Sequence, residues 1–202
     1  MLSVSSVVQK NSSIPSNHPN LFPSPLFPPF PFDTSRNAAH YSSIMRRQKI
    51  YLETTLFNYY FDKDRDAHPD TVKLFKEIAA GKYEAFTSRY VVDELMKAPE
   101  PKRAKMLGLI SEYGIPIFEY SDEARQLADI YVKEGVIPQK YRSDALHIAA
   151  ASVHDLDMLI SMNFQHIVKR KTILATGTIN ALNGFRAIEI NSPMEIIENE
   201  NA

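Results

Sequence analysis

The stretch Tyr141–Asn163, YRSDALHIAAASVHDLDMLISMN, constrains this chain more than any other. At helical spacing Asp144, His147, Ile148 and Ala151 fall at i, i+3, i+4 and i+7 and share one face. Leu146, Ala149, Ala150 and Val153 fill the other sides. Almost no polar stripe is left, and a helix apolar all round is a buried helix. Asp144 stands in the first turn, just after Ser143, so a carboxylate sits at the edge of a core. One reading is that Asp144 complements the positive end of the helix dipole. The other follows from the next residues. Asp157–Ser161 is a short apolar strand with Asn163 just beyond it, and open α/β sheets place their sites at the C-terminal ends of strands.

The first 44 residues do not read as part of that domain. They hold seven of the thirteen prolines and ten serines, with Lys10, Asp33 and Arg36 as their charges. FPSPLFPPFPF is excluded from helix and central strand, because each proline removes a donor and restricts its predecessor. Residues 1–44 are therefore expected to be a disordered Pro/Ser-rich leader, and residues 45–202 the domain. A serine-rich, acid-poor composition also suits a transit peptide, although Arg36 is the leader's one arginine and no amphipathic helix accompanies it. Met45 directly precedes the first strand and is a candidate natural start, which would make the leader foreign to the native product. No apolar run is long enough to span a membrane.

The whole chain carries a formal net charge of −1. The leader holds two cations and one anion, so the domain stands one unit more negative. That is not the basic balance of a protein that coats nucleic acid. The absence of cysteine excludes disulfides, thiolate nucleophiles and cysteine zinc sites together, and makes the cytosol the default compartment.

Along the domain, strands alternate with helices. Lys49–Glu53 is a strand apolar enough to be buried on both faces, and it ends on a carboxylate followed by Thr54 and Thr55. Pro69 opens an amphipathic helix closed by Gly81. Glu84–Thr87 is a second strand, and Ser88 can cap the helix after it, with Val91, Val92 and Leu95 inward. At 100° per residue Asp93 points away from that face, while Glu94 lies just beyond its Val91 edge, able to reach a cleft or to serve as a rim acid. Ile115–Phe118 is a third strand. Ser121 caps a periodic helix that ends at Gly135, and the opening helix and its strand follow. Phe185–Ile190 is a fifth strand, and Pro193 starts a terminal helix. The pattern predicts an α/β fold, a parallel sheet of about five strands with helices on both faces.

Glu53, Glu94 and Asp144 thus share an address at the C-terminal edge of one sheet, with Asn163 a fourth candidate. Gathered carboxylates repel unless a divalent cation neutralises them, and oxygen-only ligands select Mg²⁺ or Mn²⁺. Such ions are the apparatus of phosphodiester hydrolysis. Dinucleotide, Walker and nucleophile-elbow motifs are missing, and the histidines lack H-E-x-x-H spacing. His147 reads as a hydrogen-bonded core histidine, and Met158 and Met162 as core filling. Arg46-Arg47-Lys49 and Lys169-Arg170-Lys171 read as solvated faces, or as contacts for a phosphate backbone.

In that order and spacing, IYLETTLFNYY, TSRYVVDEL, RSDALHIAAA and LISMNFQHIV resemble a PIN domain of the bacterial toxin–antitoxin ribonuclease kind (VapC-like). The resemblance spans about Lys49 to Pro193. It implies a Rossmann-like parallel sheet, a cytoplasmic Mg²⁺- or Mn²⁺-dependent endoribonuclease acting on RNA, frequent homodimers and often a small antitoxin protein as partner. Matched by position, the family's first acid falls on Glu53, its second on Glu94 and its third on Asp144. Its fourth acidic position falls on Asn163, and its supporting hydroxyls on Thr54, Thr55 and Ser161. Glu53, Glu94 and Asp144 would hold the metal. Two departures bear on activity: Glu53 is one methylene longer than the usual Asp, and Asn163 removes a negative charge. The alternative is a catalytically weak or inactive module that binds RNA or an antitoxin in the same cleft.

Overall fold

The computed structural model describes residues 46–119 and 121–198. The proposed leader and Met45 lie outside the described residues. In chain order the elements are β1 (Gln48–Leu52), α1 (Thr54–Tyr59), α2 (His68–Ala79), β2 (Tyr83–Ser88), α3 (Arg89–Leu95), α4 (Lys102–Glu112), β3 (Ile117–Phe118) and α5 (Asp122–Lys133). A short 3₁₀ turn (Gln139–Tyr141) leads into α6 (Arg142–Val153), β4 (Met158–Ile160), α7 (Arg170–Leu182), β5 (Glu189–Asn191) and α8 (Pro193–Ile196).

The five strands form one sheet in the order β3-β2-β1-β4-β5, and every pairing is parallel. This is the α/β architecture expected from the alternation. Ile50, Tyr51 and Leu52 of β1 are each 0 % exposed. Consecutive strand residues face opposite sides, so both faces of the central strand are covered. β1 is flanked by β2 (Ile50 opposite Ala85) and by β4 (Ile50 opposite Met158). The chain builds outward from β1 to β2 and β3, then returns to add β4 and β5 on the other side. The crevice at that reversal, beyond the C-terminal ends of β1 and β4, is the topological switch point where open parallel sheets hold ligands.

Local chemistry sets the element ends. Ser121 Oγ accepts the Ala124 N–H at 3.2 Å and caps α5, and Gly81 closes the turn after α2 with φ of 77°. Ser192 and Glu195 form a reciprocal capping box on α8. β3 is shorter than the expected Ile115–Phe118, and β5 starts at Glu189, four residues after the expected Phe185, and runs one residue past Ile190. At the opposite end of the sheet Asp157 accepts the Lys49 N–H at 2.7 Å, Arg46 at 2.6 Å and Arg186 at 3.0 Å. Arg46, from the first basic cluster, therefore serves the N-terminal edge, away from the switch point. Among the described residues no helix is long and apolar enough to cross a membrane.

Leu159 is 0 % exposed and pairs within β4 between β1 and β5. Leu159→Ala should lower unfolding stability by about 2–5 kcal/mol in urea titrations. A loss under about 1 kcal/mol would contradict this account of the sheet's centre.

Candidate metal centre at the switch point

Glu53 is the first residue beyond β1, and its backbone N–H still donates to Ile160 O at 3.2 Å, which continues the sheet ladder by one step. Its side chain turns back as the N-cap of α1 and is 3 % exposed. Three donors meet one oxygen: Thr55 N at 3.1 Å, Thr55 Oγ1 at 2.5 Å and Ser161 Oγ at 2.8 Å, all to Glu53 Oε2. Those hydroxyls are themselves held, since Thr55 Oγ1 accepts Met162 N–H at 2.8 Å and Ser161 Oγ accepts Asn163 N–H at 2.9 Å. A carboxylate this deep requires such donors, and they also fix its direction.

Glu94 arrives from α3. Val91 and Leu95 are buried, Asp93 is exposed and Glu94 is intermediate, which is the helical-face geometry read from the sequence. Its Oε2 accepts Thr54 Oγ1 at 2.5 Å and lies 3.1 Å from His147 Nε2. Burial pushes this carboxyl up. The hydrogen bond and charge of His147, with Thr54 and Lys97, outweigh burial and hold it at about 2.

His147 is 1 % exposed on α6 and completes a buried chain. Its Nδ1 meets Tyr51 OH at 3.0 Å, and Tyr51 OH meets Ser88 Oγ at 2.6 Å. Ser88 thus directs its hydroxyl to Tyr51 instead of capping α3. Burial lowers the imidazole pKa, but Glu94, Glu53 and Asp144 together raise it above its ordinary value. Tyr51 is raised, first by burial. His147 is a satisfied core histidine, as expected, yet the partner that satisfies it is a site carboxylate. One donor atom each from Glu53, Glu94 and His147 lies within 4.8 Å of the others.

Asp144 stands outside that trio but in its field. Its Oδ2 is buried and has no hydrogen-bond partner among the described residues. Burial and the charge of Glu53 raise its pKa; His147, a hydrogen bond from Asn163 and His166 act the other way. Asn163 Oδ1 accepts the His166 N–H at 3.1 Å, so the amide's NH₂ end is the one available to Asp144. The structure therefore brings together Glu53, Glu94, Thr54, Thr55 and Ser161 directly, and places Asn163 as Asp144's hydrogen-bond partner. Reading from sequence missed Tyr51 and Ser88. The signal for His147 was its place three residues after Asp144 on the same helical face.

No protein-family model matches the chain, and no curated protein matches it. Among solved structures the chain is similar to VapBC2 from Rickettsia felis bound to a DNA fragment from their promoter, at 15 % identity and a TM-score of 0.46. The likeness covers 72 % of this chain and 98 % of that one.

The two shifted carboxyls have opposite consequences for stability. Glu94 binds its proton less tightly folded than unfolded, so the stability it lends is full above its ordinary value of 4.5 and is lost as pH falls toward about 2. Asp144 is raised above 3.8, so its ionisation costs stability, and that cost is present at neutral pH. Melting in EDTA at pH 7 should therefore show Asp144→Asn above wild type, by about 2–4 °C for each kcal/mol relieved. Glu94→Gln should melt lower and flatten the acid loss of stability. An Asp144→Asn protein that melts below wild type would make Asp144 a helix-dipole acid.

Proposed function

We propose that this protein is a metal-dependent endoribonuclease of the PIN kind, with Glu53 and Glu94 holding a Mg²⁺ or Mn²⁺ ion and Asp144 completing the acidic wall beside it. The observation that carries this reading is the convergence of two carboxylates and a histidine at the switch point, their donor atoms within 4.8 Å of one another. One imidazole with the neighbouring hydroxyls and amides offsets only part of that negative charge, and Asp144 Oδ2 is left without a hydrogen-bond partner among the described residues. The donors suit a hard or borderline divalent ion. Three of the four motifs that resemble PIN domains supply the acids Glu53, Glu94 and Asp144, and the fourth supplies Asn163.

A divalent ion bound here would neutralise a scissile phosphate and lower the pKa of an attacking water. The chain's own residues do the rest. Thr55 and Ser161 fix Glu53 by one oxygen, and Thr54 and His147 fix Glu94 by one oxygen. Each carboxylate thus keeps a defined direction toward the cleft. In this reading Asp144 would orient the attacking water; its Oδ2 is buried and has no hydrogen-bond partner among the described residues. Asn163 steadies Asp144 without adding charge. Lys169, Arg170 and Lys171 are exposed at the start of α7, just past the loop that leaves β4 toward the site, and suit the phosphates that flank the scissile bond.

Single-stranded RNA should be cleaved in Mg²⁺ or Mn²⁺, with activity abolished by EDTA and by Asp144→Asn. A broad RNA pool left intact with either ion would overturn catalysis and leave a module that binds RNA or an antitoxin protein. Glu53→Asp would withdraw the carboxylate by roughly 1.5 Å from the three donors that hold it, and a misplacement of about 1 Å can cost on the order of 10²-fold in rate. The variant should therefore be slower by that order. A tenfold gain would instead identify Glu53 as a decayed aspartate.

A further inference from the structure

Resting on that reading of the carboxylates, we propose that His147 is a direct nitrogen ligand of the same ion, so that the site favours a borderline transition ion such as Mn²⁺ over Mg²⁺. His147 Nε2 lies 3.1 Å from Glu94 Oε2. Two donors at right angles around one small divalent ion, each about 2.1–2.2 Å from it, stand about 3 Å apart. The spacing that permits a hydrogen bond in the free protein is thus also the spacing of neighbouring ligands.

Three further features favour ligation. Glu94 Oε2 already accepts Thr54 Oγ1, so the imidazole proton is not needed to satisfy that oxygen. The ligand atoms of Glu53, Glu94 and His147 all lie within 4.8 Å of one another, so one ion could meet the nitrogen and both carboxylates. The third feature is the far side of the ring. A ligating histidine ordinarily gives its other N–H to a fixed partner, which sets the tautomer. Here Nδ1 meets Tyr51 OH at 3.0 Å and Tyr51 is tied to Ser88 at 2.6 Å, all three residues buried. With the proton on Nδ1, Tyr51 accepts it and donates onward to Ser88, and the Nε2 lone pair points at the carboxylates. No heavy atom in that chain must move for the ring to change from hydrogen-bond donor to ligand; only the ring and hydroxyl protons shift.

A nitrogen ligand separates the two ions. Imidazole suits transition ions, whereas Mg²⁺ takes oxygen and keeps its waters. Pulsed electron paramagnetic resonance of the full chain loaded with Mn²⁺ should show strong coupling to one directly bound ¹⁴N, lost in His147→Gln. Calorimetry should show His147→Gln weakening Mn²⁺ tenfold or more and Mg²⁺ less than threefold, whereas a merely structural role would weaken both alike. Tyr51→Phe keeps the buried ring and removes the partner of Nδ1. It should weaken Mn²⁺ in preference to Mg²⁺, and it keeps the test decisive if His147→Gln does not fold. Bound Mn²⁺ without nitrogen coupling, while RNA is still cleaved, would overturn this inference and leave the carboxylate reading standing. No binding of either ion would overturn both.

Discussion

A carboxylate 3 % exposed at the end of the central strand is the constraint around which the rest of this structure is arranged. β1 is covered on both faces, and Glu53, the residue that follows Leu52, is largely withdrawn from bulk water. Glu53 must be stabilised by groups brought to it from elsewhere in the chain. They come from α1 (Thr55) and from the end of β4 (Ser161), and each of those hydroxyls is anchored to a backbone N–H beyond it. The parallel register delivers these ends to one level. Glu94 repeats the device from α3, with Thr54 and His147 as its holders. The outcome is a set of carboxylates fixed in direction. Glu94 gains from its holders, whereas Asp144 is raised by burial and costs stability when ionised, which favours binding a cation.

The architecture was legible because its signals are local and periodic. β1 and β4 read as continuous apolar runs, α6 as a helix apolar all round, and Ser121 as a cap, all from residues near in sequence. The two-sided burial of β1 followed from its composition. Which of Asp93 and Glu94 faces the cleft followed from helical phase. The strand ends were less legible: β3 shrinks to Ile117–Phe118, the two residues that pair with Thr87 and Ser88 of β2, and apolar composition does not report where a ladder ends. Ser88 illustrates the same limit. Its position suggested a helix cap, but a buried tyrosine from the neighbouring strand competes for its hydroxyl and wins it.

The site was legible in its acids and in the hydroxyls that hold them, Thr54, Thr55 and Ser161, but not in the buried chain behind Glu94. Glu53, Glu94 and Asp144 announce themselves by their places at strand and helix ends. The chain from Ser88 through Tyr51 to His147 joins residues far apart in sequence, and spacing carries no trace of it. Asn163 lies beside the acids without adding to their charge. With its oxygen committed to the His166 N–H, its amide turns a donor toward Asp144 and eases that carboxylate. Glu53 is held in the same way, with three donors on one carboxylate oxygen.

The central claim is that these residues form a cation site at the topological switch point. Crystals of the protein soaked in Mn²⁺ and measured at the manganese absorption edge test it most directly. The account predicts one anomalous peak in the crevice beyond β1 and β4, about 2.1 Å from a carboxylate oxygen of both Glu53 and Glu94. A crevice without anomalous density at saturating Mn²⁺, or a peak bonded to neither glutamate, would contradict it.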